Sequence, residues 1–96
     1  MATLHIEHAI TDLATWLGAF NRFAEAREKA GVRATRVHQP EDDDRYIYVQ
    51  LDFDTGGEAA AFLGFLRSVV WASPDASPGL EGAPTGRVLT SVTRAG

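Results

Sequence analysis

Ninety-six residues with a formal charge of -4 make one domain, spanning 1–96, and leave no room for two. The nine Lys and Arg are scattered, which excludes the basic surface that nucleic acid needs and gives no sign of an anionic membrane partner. The absence of cysteine excludes disulfides, thiolate nucleophiles and cysteine-ligated metal centres.

Thr3 to Ile10 reads as a first strand, with Leu4 and Ile6 on one side and Thr3, His5, Glu7 and Ala9 on the other. His8 falls in line with Leu4 and Ile6. His5, Glu7, His8 and Asp12 stand where a secretory leader would be apolar, so a cytoplasmic protein is expected. Thr11 and Asp12 are N-cap types, and Leu13, Trp16, Leu17, Phe20, Phe23 and Ala24 recur at the 3.6-residue period of a helix lying on a sheet. Gly31 supplies its stop. Arg27 extends the stripe, and its expected role is structural, with the guanidinium reaching a carboxylate or a backbone carbonyl.

Residues 32–39 form a weaker strand whose inward face parity alone does not assign. Pro40 and the acids Glu41 to Asp44 make a solvated turn rather than a cation loop, since neither the ligand spacing nor the turning glycine of such a loop is present. Arg45 to Phe53 is the clearest strand in the chain. Ile47, Val49, Leu51 and Phe53 alternate with Tyr46, Tyr48, Gln50 and Asp52, giving one apolar and one polar, aromatic face.

Asp54 or Thr55 caps a second helix, with Thr55 and Glu58 at capping-box spacing and Ala59, Phe62, Leu63, Leu66, Val69 and Val70 as its buried stripe. Phe65 and Trp71 lie off or beyond that stripe, so they cover the helix end or meet another subunit. Residues 72–86, rich in Pro, Gly and Ser, read as a long loop, a lid or interface arm. Residues 87–94 close the chain as a strand. Its longest apolar stretch is too short and too interrupted to span a bilayer.

The order strand, helix, strand, strand, helix, strand is the split βαβ plan of the ferredoxin-like α+β fold, a four-stranded antiparallel sheet with two helices on one face. The other face is left bare, and on it should lie Tyr46, Tyr48, Gln50, Asp52, Thr3, His5 and Glu7. A second copy covering that face would remove its aromatic area from water and enclose a space between the sheets, so a homodimer is expected.

In element order and size over nearly the whole chain, and most closely in 8–16 (His-Ala-Ile-Thr-Asp-Leu-Ala-Thr-Trp) and 51–54 (Leu-Asp-Phe-Asp), the sequence resembles the dimeric α/β-barrel superfamily, which includes the antibiotic-biosynthesis-monooxygenase-like domains and small uncharacterised bacterial members. That resemblance implies a homodimer with a cavity. It chooses no reaction, because relatives include cofactor-independent oxygenases, isomerases, haem-degrading enzymes and dehalogenating peroxidases.

His5 and Glu7 point to the same face about 7 Å apart. A Glu beside a His can raise its basicity, so His5 is a candidate general base, Glu7 its orienter and Tyr48 a hydrogen-bond donor. Tyr46, Gln50 and Asp52 would bind substrate on the same aromatic wall. The plainer reading makes all six the polar lining of a wet dimer interface. His8 more simply ties the strand end to the helix, and no metal site follows because His5 and His8 point apart. Nucleotide, serine-hydrolase and zinc-protease motifs are absent from the sequence. The expectation is a cofactor-free enzyme acting on a small apolar or aromatic molecule, with a non-catalytic binding or structural dimer as the alternative.

Overall fold

The computed structural model describes residues 1–92. The elements run β1 (Ala2–Ile10), α1 (Leu13–Arg22), α2 (Ala24–Ala30), β2 (Ala34–His38), β3 (Tyr46–Phe53), α3 (Gly56–Phe65) and β4 (Leu80–Thr90). The strands form one antiparallel sheet in the order β2-β3-β1-β4. This is the ferredoxin-like α+β fold.

Period-two patterning sets the two faces of the sheet. Leu4, Ile6 and Ile10 of β1 and Ile47, Val49, Leu51 and Phe53 of β3 are buried, joined by Trp16 of α1 and Ala59, Phe62 and Leu63 of α3 in one core on the helix side. Tyr46 and Tyr48 are half-buried on the opposite, helix-free face. Asp12 caps α1 by accepting from Thr15 N at 2.8 Å, and Thr55 caps α3 by accepting from Glu58 N at 3.1 Å.

Three expectations need correction. The first helix does not run unbroken to Gly31. It breaks at Phe23, whose N–H turns back to the Phe20 carbonyl at 3.2 Å. Arg27 holds the break together: its Nη1 donates to the same carbonyl at 2.6 Å, and its guanidinium lies 3.7 Å over the Phe20 ring. No glycine or proline marks the break in the sequence.

Secondly, α3 does not end in regular helix. Leu66–Val70 forms a π-helical turn, closed by Trp71 N donating to Leu66 O at 2.7 Å. This wider turn brings Leu66, Val70 and Trp71 to one site.

Thirdly, the final strand begins at Leu80 rather than Arg87, which shortens the loop expected over 72–86, and of the expected strand end, residues 93–94 lie outside the described residues. Gly82, Pro84 and Gly86 hide this strand from propensity. They are tolerated because β4 is an edge, and because its register with β1 shifts between Glu7 and Ala9 around Gly82, whose φ is +72°.

Pairing also settles β2. Arg36 lies opposite Gln50 and His38 opposite Tyr48, so both belong to the open face, while Val37 packs against the core.

Candidate functional site

All six residues singled out in the sequence lie on the open face, where register fixes their neighbours. Gln50 pairs with His5, Tyr48 with Glu7, and Asp52 with Thr3. On the far side of β1, Arg87 stands opposite His5 and Leu89 opposite Thr3. Among the described residues the helices pack on the other face of the sheet from Tyr46 and Tyr48, whose rings meet edge-on at 5.3 Å.

The side chains form a directional chain of hydrogen bonds. Arg36 holds Asp52 with two bonds of 2.7 and 2.8 Å, and its Nε donates to Gln50 Oε1 at 3.3 Å. That contact turns the Gln50 amide so that its Nε2 donates to His5 Nδ1 at 3.2 Å. His5 Nε2–H is then left to donate to Glu7 Oε2 at 2.9 Å, and Glu7 Oε1 accepts from the Tyr46 hydroxyl at 2.9 Å. Thr3 donates to Asp52 at 2.8 Å.

Electrostatics follow the same contacts. The hydrogen bonds from His5 and Tyr46 hold the Glu7 carboxyl below its ordinary range, and the Arg36 bonds do the same for Asp52. Glu7 in turn raises the Tyr46 phenol.

The expected acid–base pair is therefore in contact, and the Tyr48 ring lies 6.1 Å from that of His5. Both nitrogens of His5 are occupied, however, so in this arrangement neither presents a free lone pair. Arg36 and His38 were not assigned from the sequence. The apolar Val37 between them was the usable signal, because it forces both neighbours to the other face.

A second site lies on the opposite side of the sheet. A cavity of about 80 Å³ opens between the sheet, α1, the π-helical turn and the loop before β4. Its walls are mainly apolar and aromatic, with Trp16, Phe20, Phe62 and Trp71 prominent, and Ser77 and Pro78 close one side. None of the six open-face residues reaches it.

His8 does. It is 5% exposed, its ring lies 6.2 Å from Trp16, and its Nδ1 donates to the Ala9 carbonyl at 2.8 Å. Its hydrogen bond stays within β1, its ring packs toward Trp16 of α1, and it lines the cavity. Burial pushes its pKa below the ordinary 6.5, so it is neutral at pH 7.

Gly79 keeps the loop close. With φ at +86° it lets the chain pass against Trp16, and its carbonyl accepts from Thr11 N at 2.9 Å. Among the described residues there is no cluster of three or more His, Asp or Glu that could hold a metal ion, and no helix is long and apolar enough to cross a membrane.

No family model matches the chain, and no curated protein matches it in sequence. Solved structures do share its shape. An antibiotic biosynthesis monooxygenase superposes with a TM-score of 0.68 at 10% identity, covering 97% of this chain and 100% of that one. A dimeric ferredoxin-like protein from an uncultured marine organism gives 0.67 at 8% identity, over 98% and 97%. A protein from Thermus thermophilus described as PII-like and signaling gives 0.55 at 13% identity, over 92% and 82%. At these identities the likeness is one of fold.

Proposed function

From the ferredoxin-like fold shared with an antibiotic biosynthesis monooxygenase and a dimeric ferredoxin-like protein, we propose that this chain is a cytoplasmic homodimer joined across its open sheet face. Each protomer holds one small apolar or aromatic molecule in the cavity under its helices. The observation that carries this reading is the division of labour between the two faces of β1. Toward the open side, His5, Glu7 and Thr3 have their hydrogen bonds closed within the sheet, as suits polar groups about to be covered. Toward the helices, aromatic walls surround open space.

The fit is for a small ligand. The cavity of about 80 Å³ is about half the roughly 150 Å³ of one that holds benzene, so it takes one ring at most. Sedimentation equilibrium tests the dimer, and a thermal-shift screen of single-ring compounds tests the cavity. A chain that stays single at high concentration, or is stabilised by no such compound, overturns the corresponding half of the reading.

A second reading is favoured by the 2.9 Å contact between His5 and Glu7. In it the open face is catalytic without a cofactor: His5 is the base once a substrate displaces Gln50 from Nδ1, Glu7 orients it, Tyr48 donates a hydrogen bond, and Tyr46, Gln50 and Asp52 bind substrate. Its mark is loss of turnover in His5→Ala with ligand affinity retained.

A further inference from the structure

Polar atoms on the wall of the cavity decide which ligands it can accept. His8 Nδ1 meets a carbonyl oxygen, which can only accept, so Nδ1 carries the hydrogen and Nε2 carries the lone pair. Among the described residues Nε2 has no hydrogen-bond partner, yet no side-chain nitrogen or oxygen sealed from water is left without one. Nε2 therefore reaches accessible space, and the cavity is a space that His8 lines.

Two other polar side chains on the wall each hold a backbone carbonyl within the protein, and both are less buried than His8. The Ser77 hydroxyl donates to the Ser73 carbonyl at 2.9 Å. Arg27 commits Nη1 to the Phe20 carbonyl and lays its guanidinium on the Phe20 ring.

We infer that His8 Nε2 is the specificity-determining acceptor of this cavity, and that the ligand class is a small apolar molecule, of about one ring, whose polar group is an O–H or N–H donor. This rests on the cavity being a ligand site. A ligand without a donor leaves Nε2 facing hydrocarbon, whereas a donor placed there makes a hydrogen bond in an apolar surrounding, where such bonds are strong. The 2.8 Å bond to Ala9 fixes the ring's tautomer and orientation in advance.

Phenol and toluene have nearly the same shape and differ at one group, so they isolate this contact. Long-range proton–nitrogen spectra of the unaltered protein should show Nδ1 protonated and Nε2 bare. Phenol should shift the Nε2 resonance toward the protonated position, and toluene should leave it in place. In His8→Phe, phenol affinity should fall about two- to thirteenfold, the loss of one ordinary hydrogen bond, while toluene affinity does not fall.

If both compounds bind and phenol leaves Nε2 unmoved, the role of His8 is overturned while the cavity remains a ligand site. Equal losses of phenol and toluene in His8→Phe would mean that His8 only shapes the wall, which also overturns it. If neither compound binds, the cavity reading fails and takes this inference with it. The spectra use the unaltered protein, so the test survives a variant that does not fold.

Discussion

His5 and His8 stand on the same strand and face opposite sides of the sheet, one with both ring nitrogens engaged by Gln50 and Glu7, the other with only Nδ1 engaged. An offset of three residues in a period-two element makes that separation unavoidable. One histidine thereby becomes part of a surface network, and the other a buried polar point on the wall of a mainly apolar cavity.

The buried histidine predicts how stability changes with pH. The folded chain holds His8 below its ordinary 6.5 because of burial. Above that value both folded and unfolded chains carry it neutral. As pH falls through 6.5 the unfolded chain takes up a proton that the folded chain refuses, so stability drops until the folded value is passed. Glu7 and Asp52, held low by their hydrogen bonds, contribute stability present above their unfolded values and lost at still lower pH. Urea midpoints should decline as pH falls through 6.5, and His8→Gln should flatten that upper segment alone. A flat profile there in the unaltered chain would contradict the assignment.

Self-association has a marker on the sheet's edge strand. Leu89 is 41% exposed and, opposite Thr3, belongs to the open face. A covered Leu contributes about 1.5–3 kcal/mol, so Leu89→Asp should weaken the dimer by about tenfold or more. Sedimentation velocity over a dilution series reads this directly. Because the side chain lies outside the core, the urea midpoint of the dissociated chain should barely move.

Removing His5 separates the two functional readings. His5→Ala leaves Glu7 its bond from Tyr46 and frees Gln50 Nε2 to water, a cost of about 0.5–1.5 kcal/mol. If the cavity is the ligand site, compounds that bind there should keep their affinity, since His5 does not line it. Turnover lost while calorimetry shows affinity retained would instead mark the open face as the catalytic one.

Two glycines with positive φ should respond unequally to alanine. At Gly79 a Cβ would come within 3.0 Å of Trp16 N and 3.1 Å of its Cα, backbone atoms that cannot step aside cheaply. At Gly82 a Cβ would meet nothing within 4 Å. Gly82→Ala should cost only the conformational penalty of about 1–2 kcal/mol. Gly79→Ala adds a clash to the same penalty and should cost more, with the ordering read from paired denaturant titrations. Equal costs would mean that the close approach to Trp16 is readily relaxed.

Alternation in the sequence determined the two faces of β1 and β3, and with them the sheet, the core side and the placing of Tyr46, Tyr48, Gln50, Asp52, His5 and Glu7 on the open face. Side-chain parity is a local property of extended chain and needs no partner to be read. The helix caps at Asp12 and Thr55 were legible for the same reason. Tertiary structure decided the rest. The break at Phe23 depends on Arg27 reaching a carbonyl a full turn and more behind it. The early start of β4 depends on an edge position that tolerates Pro84. The cavity exists only where α1, a π-helical turn and the loop before β4 converge on His8. Convergence of distant segments carries no periodic signal along the chain, so the space they enclose, and the turning of His8 toward it, emerge only when the chain is folded.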